Sequence, residues 1–200
     1  PSGKGGFALS LFAFDAGEDF AALTRGLAGR RVDVFDPDLS LLLRKPSNDL
    51  SHRGGLKLPR NSREYSLLRQ WIAEGGRMDP KGSPACVGIE LESAEAHVLH
   101  WPNPTAQLRV KARFSDGQVR DVTRLAKFTT SDETIAKVTP DGRVTGLKRG
   151  QAAIMARFLE HVSARSFTFV KPVPGFKWNA PPPANFIDTH VQAKLREMQF

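Results

Sequence analysis

Hydrophobic and polar residues alternate through residues 107–170, the pattern of a series of short strands. Leu108, Val110 and Ala112 alternate with Arg109 and Lys111, so one face of this strand is expected to be buried and the other wet. Asp-Gly pairs at residues 116–117 and 141–142 predict tight turns between neighbouring strands. About seven short strands separated by such turns predict an all-β sandwich. The predicted strands cover residues 107–114, 118–123, 126–130, 134–139, 143–147, 151–159 and 162–170, with two opening strands at 87–92 and 96–101.

Several spaced motifs in this region carry a resemblance to a known family. They are Gln107-Leu108, Ser131-Asp132, residues 135–138 (Ile-Ala-Lys-Val), residues 141–145 (Asp-Gly-Arg-Val-Thr) and residues 150–154 (Gly-Gln-Ala-Ala-Ile). Together they resemble the bacterial Ig-like domain, group 2. That resemblance implies an Ig-like sandwich over residues 84–171, and it says little about function because such sandwiches serve as scaffolds and spacers.

Residues 1–83 show helical patterns instead. Asp36 followed by Pro37 is a favourable helix start, and Glu64 is placed to close a capping box on Asn61. A polar loop, residues 47–60, separates these two segments. A domain of this size has a thin core unless a cofactor or a neighbouring domain supports it. Helices are predicted at residues 18–25, 36–45 and from 61 or 62 to 74.

The segments "GKGGFALSLFAFDAG", "SLLLRK" and "LLRQWIAEG" resemble the planctomycete-type cytochrome c domain, which is found in large multi-domain proteins. In that family a Cys-x4-Cys-His haem-attachment segment lies just before the "GKGGF" turn. Here Pro1 stands where the sequence after that segment begins. The resemblance therefore implies a cytochrome c-like domain lacking its attachment segment, with haem c in the intact parent protein and none expected for this chain alone.

The same resemblance implies a set of cofactor-binding residues, His52, Gly54, Gly55 and Trp71. In relatives the loop before the Trp-containing helix supplies a second axial ligand to the iron, and His52 is the matching residue, a candidate distal haem-iron ligand. The two glycines would let the backbone approach a flat macrocycle closely. An exposed loop histidine with no ligand is the alternative, and Met78 is a second candidate ligand.

The net charge of +8 raises the question of nucleic-acid binding. The excess is spread thinly, with +3 over residues 1–83, +4 over 84–171 and +1 over 172–200. Arg109, Lys111 and Arg113 line one strand face, but the Tyr and Trp residues are not interleaved with them as a base-stacking platform requires. A solvated outer face is the expected role, and no nucleic-acid partner is predicted.

Other chemistry finds little support in the sequence. The single cysteine, Cys86, excludes an intrachain disulfide and any metal site that needs two cysteines of this chain. His97 and His100 are three residues apart, which on a strand places them on opposite faces and argues against joint metal ligation. No motif of an enzyme and no apolar run long enough to span a membrane is present, so we expect neither catalysis nor a membrane span.

The last segment, residues 172–200, combines a Pro-rich linker with an amphipathic helix. Asn185 is the expected cap, and Ile187, Val191 and Leu195 fall on one stripe. The run "NFIDTHVQAKL" resembles the opening helix of an uncharacterised domain of the same multi-domain proteins. The stripe must be buried on a partner, on the preceding domains, or not at all.

These patterns predict an α + β multi-domain chain, a small all-α cytochrome c-like domain (residues 1–83) followed by an all-β Ig-like sandwich (84–171). The N-terminus has neither an initiator Met nor a signal peptide, which indicates a piece of a longer protein. The first functional hypothesis is a non-catalytic electron-transfer or haem module on an Ig-like spacer, with a redox partner. The alternative is a haem-free structural or adhesive module that binds protein or glycan. Both imply contacts with other domains or chains, and the resemblance implies export to the periplasm or cell surface.

Overall fold

The structure is a computed structural model that describes residues 6–11 and 14–200. The chain divides into two compact units, with the division between Ser83 and Pro84. Lys4 and Gly5 of the expected glycine turn lie outside the described residues. Within those residues, no helix is both long enough and apolar enough to cross a membrane.

Short helices and irregular loops make up the described part of the first unit. Its α-helices are α1 (Ala16–Thr24), α2 (Leu41–Arg44) and α3 (Arg63–Ala73). Asp15 caps α1 by accepting a hydrogen bond from Glu18 N, and Ser62 caps α3 by accepting one from Tyr65 N. The residue that caps α3 is therefore Ser62 and not the predicted Asn61.

The prediction of a small all-α cytochrome c-like domain is wrong. The chain is mostly β, and α2 is a single turn. The helix predicted at residues 36–45 is interrupted at Ser40, whose ψ of 126° is extended. Ser40 is fully buried, and its hydroxyl accepts a hydrogen bond from Asp33 N at 2.9 Å. Because this bond holds Ser40 in place, the segment forms a 3-10 turn at Pro37–Leu39 and then α2, instead of one continuous helix.

The first unit has a small apolar core, and a buried arginine, Arg31, adds contacts that hold it together. The core consists of Leu43, Tyr65 and Ile72, with a few partly buried neighbours. Arg31 is only 6% exposed, and its guanidinium donates to Ala22 O at 2.7 Å. A Cβ on Gly26 would lie 1.8 Å from Arg31 Nη1, so a side chain at position 26 would displace the guanidinium from this position. A buried charge is tolerated when its hydrogen bonds are made, and Arg31 thus ties α1 to the loops around it.

The second unit is a sandwich of nine strands in two sheets. This number agrees with the prediction of about seven strands together with two opening strands. One sheet has the order β1-β3-β7-β6, with β4 also paired to β3, and the other has the order β2-β9-β8-β5. All pairs are antiparallel except β2 with β9, which is parallel. The strands are β1 (Cys86–Ser93), β2 (Val98–His100), β3 (Thr105–Phe114), β4 (Val119–Asp121), β5 (Lys127–Thr130), β6 (Ala136–Val138), β7 (Arg143–Gly146), β8 (Gly150–Phe158) and β9 (His161–Val170).

The sandwich core follows the alternation of the sequence. Leu108, Val110 and Ala112 of β3 are fully buried, and they share the core with Phe167 and Phe169 of β9. The two phenylalanine rings lie 6.4 Å apart between centroids. Alternate residues on each strand therefore place one apolar row between the sheets and leave a polar row outside.

The C-terminal segment returns to the outer face of the second sheet. Thr168 and Val170 alternate with the core residues Phe167 and Phe169 and so point outward, yet both are fully buried. Helix α4 (Phe186–Glu197) supplies part of the cover, because Lys194 Nζ donates to Thr168 Oγ1 at 2.6 Å. Near the chain's last residues, the guanidinium of Arg149 stacks on the ring of Phe200 at 3.9 Å.

We expect Gly142→Ala to lower the free energy of unfolding by about 2 kcal/mol, because an alanine would combine backbone strain with a collision. Gly142 has φ of +84°, and its Cβ would lie 2.8 Å from Leu108 O. Gly117→Ala is the matched control, since Gly117 has φ of +79° but no atom within 4 Å of the added carbon. Urea unfolding of both variants should show the larger loss in Gly142→Ala; equal losses would mean that the collision with β3 costs nothing.

Candidate functional site

The residues expected to bind haem lie in two different settings. His52 is half-buried, and its Nδ1 is buried with no hydrogen-bond partner in the structure. An ideal Cβ on Gly54 would lie 2.5 Å from His52 Nε2, so the imidazole edge occupies the space that a side chain at position 54 would need. Gly55 has φ of +64° with open space around its α-carbon. These glycines therefore accommodate the turn and the imidazole itself.

Trp71 packs with the core of the first unit. Its ring meets Phe20 edge to face at 6.5 Å, and its indole N–H donates to Arg77 O at 2.8 Å. Within the described residues, no hydrogen bond or ring contact joins Trp71 to His52. Met78 lies beyond α3 and is half exposed.

None of the four predicted haem residues lines the cleft of the first unit. That cleft has a volume of about 490 Å³ and is lined by residues from 28 to 41. The edge of His52 that carries Nε2 lies against Gly54. Haem c in the parent protein, and His52 as its ligand, remain predictions.

The sandwich carries a second cleft, of about 550 Å³, which we call the β1–β3 cleft. It lies at the end of β1 and the turn after it, beside the start of β3, with one side chain from β9. Its charged and amide lining consists of three carboxylates, one amide and two guanidinium groups, from Glu90, Glu92, Glu95, Gln107, Arg109 and Arg165.

Glu95 is the best-fixed group of the β1–β3 cleft. Its Oε2 accepts hydrogen bonds from Ser93 Oγ at 2.8 Å and from Gln107 N at 3.2 Å. The bond from Ser93, helped by the positive charge of Arg165, lowers the pKa of the Glu95 carboxyl despite partial burial. Arg165 also donates to Glu95 O at 3.2 Å, so the turn after β1 is held to β9.

Arg109 is the exposed cation of the cleft. The neighbouring Lys111 pairs with Glu92 at 2.8 Å, whereas Arg109 lines the cleft as an exposed residue. A carboxylate that accepts and a guanidinium that donates, side by side, suit a neutral partner rich in hydroxyl or amide groups.

Strand pairing also explains the basic stripe on β3. Arg109 lies opposite Glu92 of β1, while Lys111 lies between Glu90 of β1 and Asp121 of β4. Basic and acidic side chains thus alternate across the outer face of this sheet. That arrangement provides no continuous positive surface for a phosphate backbone.

The histidine pair in the sequence does not form a metal site. His97 lies before β2 with an exposed side chain, 3.6 Å from Glu197, and His100 lies at the end of β2. In the ranges 6–11 and 14–200, no group of three or more His, Cys, Asp or Glu side chains is placed to hold a metal ion.

Sequence reasoning did not find the β1–β3 cleft. Glu95 and Gln107 are 12 residues apart and Arg165 lies 70 residues beyond Glu95, so they meet only when β1 pairs with β3 and the two sheets pack against each other. The one local signal is Ser93 two residues before Glu95, a spacing that lets a hydroxyl bond a neighbouring side chain or backbone group.

No protein-family model and no curated protein matches this chain. Among solved structures it is similar to surface layer protein SbsC, domains 1–6, with 17% sequence identity and a TM-score of 0.38; the match covers 44% of this chain and 15% of that one. It is also similar to an EHEC O157:H7 intimin mutant, with 13% identity and a TM-score of 0.30, over 40% of this chain and 45% of that one. The chain thus spans less than half of either protein, and likenesses this distant carry no argument about function.

Replacing Ser93 should test the hydrogen bond that fixes Glu95. In Ser93→Ala we expect the pKa of Glu95 to rise toward the ordinary value of 4.5, as followed by NMR of its side-chain carboxyl. A carboxyl whose pKa is depressed by folding stabilises the protein above its unfolded pKa, and that contribution is lost as the pH falls through the folded value. Wild type should therefore lose more stability on acidification than the variant does.

The matched control is Ser166→Ala, at an exposed serine on the outer face of β9. It should leave both the Glu95 titration and the acid sensitivity unchanged. An unshifted Glu95 in Ser93→Ala would show that the backbone N–H of Gln107, and not the Ser93 hydroxyl, holds the carboxylate.

Proposed function

We propose that this chain is a non-catalytic structural and adhesive module of an exported protein. In this proposal the Ig-like sandwich is a spacer, and its β1–β3 cleft makes weak contacts with protein or glycan at the cell surface. The observation that carries the proposal is the sandwich itself, a continuous apolar core between two sheets, with one polar cleft at its edge.

The body of the sandwich supports the spacer role. Its core contains large side chains from both sheets that are fully shielded from water, including Val144 and Ile154. A core of this kind is self-sufficient, since burial of apolar surface is the main favourable term in folding. A spacer needs that independence, because it must keep its shape whichever domains flank it.

The β1–β3 cleft supports the adhesive role. Its groups are fixed by the fold: Glu95 by Ser93 and Gln107, and Arg165 by the carbonyl of Glu95. Pre-positioned donors and acceptors lose little conformational freedom on binding, which favours recognition of polar surfaces. The sequence resemblance to bacterial Ig-like domains supports export, and the partner in this proposal is another surface protein or a polysaccharide.

Arg109→Ala tests the adhesive role, because Arg109 is exposed in the cleft and removing it should not disturb the core. Fluorescently labelled chain added to washed cells of the source organism should bind saturably. We expect Arg109→Ala to weaken that binding several-fold. Arg113→Ala is the matched control: Arg113 is exposed on the same strand and does not line the cleft.

Cell treatments separate the two kinds of partner. Binding lost after periodate oxidation indicates a glycan, and binding lost after protease treatment indicates a protein. Non-saturable binding, or equal weakening by Arg109→Ala and Arg113→Ala, would contradict an adhesive role for the β1–β3 cleft.

A visible absorption spectrum of the parent protein, purified from its source, tests the haem-free nature of the module. We expect no Soret band, because none of the predicted haem residues lines the cleft of the first unit. A Soret band that changes in His52→Ala would overturn this part of the proposal and would establish His52 as a ligand.

A further inference from the structure

The C-terminal segment forms a closed loop on the sandwich. Val173 N donates to Gln199 Oε1 at 2.7 Å, so the segment returns to the point at which it leaves β9. Between these two residues the chain turns at Gly175, whose φ is +72°, runs through the Pro-rich linker and comes back along α4. We call residues 174–200 the strap.

Polar contacts from the last turn of α4 hold the strap on the outer face of the second sheet. Lys194 Nζ donates to Thr168 Oγ1 at 2.6 Å and to Glu197 Oε1 at 3.1 Å. His97 Nε2, from the segment before β2, lies 3.6 Å from the same carboxylate oxygen. We call Lys194, Glu197 and Thr168 the α4 clamp, because these three side chains join the helix to β9.

The helix of the strap gains little from apolar burial. No residue of α4 is buried, and its apolar stripe, Ile187, Val191 and Leu195, is 56%, 50% and 39% exposed. Burial of apolar surface is the main favourable term in folding, and segments with few buried apolar contacts open locally before the rest of a protein unfolds. The strap should therefore leave the sheet at a lower free energy than the sandwich needs to unfold.

We propose that the strap opens and closes as a unit while the sandwich stays folded, and that the α4 clamp sets the balance between the two forms. Opening removes Lys194 from Thr168, which is only 1% exposed in the closed form. It also frees the Pro-rich linker, residues 173–185, to extend over about 40 Å, at about 3.1 Å per residue. The opening does not depend on the proposed function, whereas its use as a change of length rests on the spacer role.

The charges at the clamp make this balance depend on pH. Desolvation raises the pKa of the Glu197 carboxyl, but hydrogen bonds from Lys194 and Thr168 and the charges of Lys194 and His97 outweigh it and lower that pKa overall. Such a carboxyl stabilises the closed strap above its ordinary pKa of 4.5, and the contribution is lost as the pH falls through the closed-form value. A protonated His97 adds a positive charge beside the carboxylate and opposes opening.

Hydrogen–deuterium exchange of the 200-residue chain, followed by mass spectrometry, tests the proposal. In wild type we expect the amides of α4 to be protected, but less than those of β8 and β9. Lys194→Ala should lower the protection factors of α4 about tenfold, the effect of losing a charge-assisted hydrogen bond, and leave β8 and β9 unchanged. Arg196→Ala is the matched control, because it removes the same charge from the same turn at an exposed side chain outside the clamp. It should leave α4 as protected as in wild type.

A pH series of the same measurement tests the role of Glu197. Protection of α4 in wild type should fall as Glu197 gains its proton, whereas Glu197→Gln should show lower protection with little dependence on pH. Equal protection of α4 and β9, an unprotected α4 in wild type, or equal losses in Lys194→Ala and Arg196→Ala would each overturn the proposal. None of these results bears on the β1–β3 cleft, which shares no residue with α4 and is tested separately by cell binding.

Discussion

The sandwich depends on one close approach, that of the Phe169 ring to Gly146. A Cβ on Gly146 would lie 2.3 Å from Phe169 Cδ1, so the ring fills the space that any other residue would occupy. Gly146 ends β7 in one sheet and Phe169 belongs to β9 in the other, so this contact sets how closely the sheets meet. Because protein interiors are close-packed, the neighbouring core side chains must fit around that distance.

The first unit is held together mainly by polar contacts instead of by a close-packed apolar core. With few apolar side chains to bury, it relies on polar groups placed inside: Arg31 on the carbonyl of Ala22 and Ser40 on the backbone of Asp33. Exposed ion pairs, such as Arg69 with Asp38 and Arg60 with Asp49, add little stability but restrict the loops they join. Directional bonds substitute here for a large hydrophobic core.

This contrast explains which parts of the fold could be predicted from the sequence. The strands could, because alternation over residues such as Leu108, Val110 and Ala112 directly reports a buried face. The break at Ser40 could not, because it depends on a hydrogen bond to Asp33 that no helical pattern encodes. The β1–β3 cleft and the docking of α4 could not be predicted either, because they depend on contacts between residues distant in the chain. These contacts are Glu95–Arg165 and Lys194–Thr168.

The parallel pairing of β2 with β9 has a mechanical consequence. Val98–His100 lies beside Thr168–Val170 with both strands running the same way, so the entry of β2 and the exit of β9 are at opposite ends of the pair. A force that pulls the start of β2 away from the end of β9 would slide these strands past each other and load their hydrogen bonds together, whereas an antiparallel pair would open one bond at a time. Resistance to forced unfolding is governed by the unfolding rate and not by equilibrium stability. Within the sandwich, the β2–β9 pair is thus connected in the direction in which its hydrogen bonds share such a force, whereas β1, which precedes it in the chain, is antiparallel to β3.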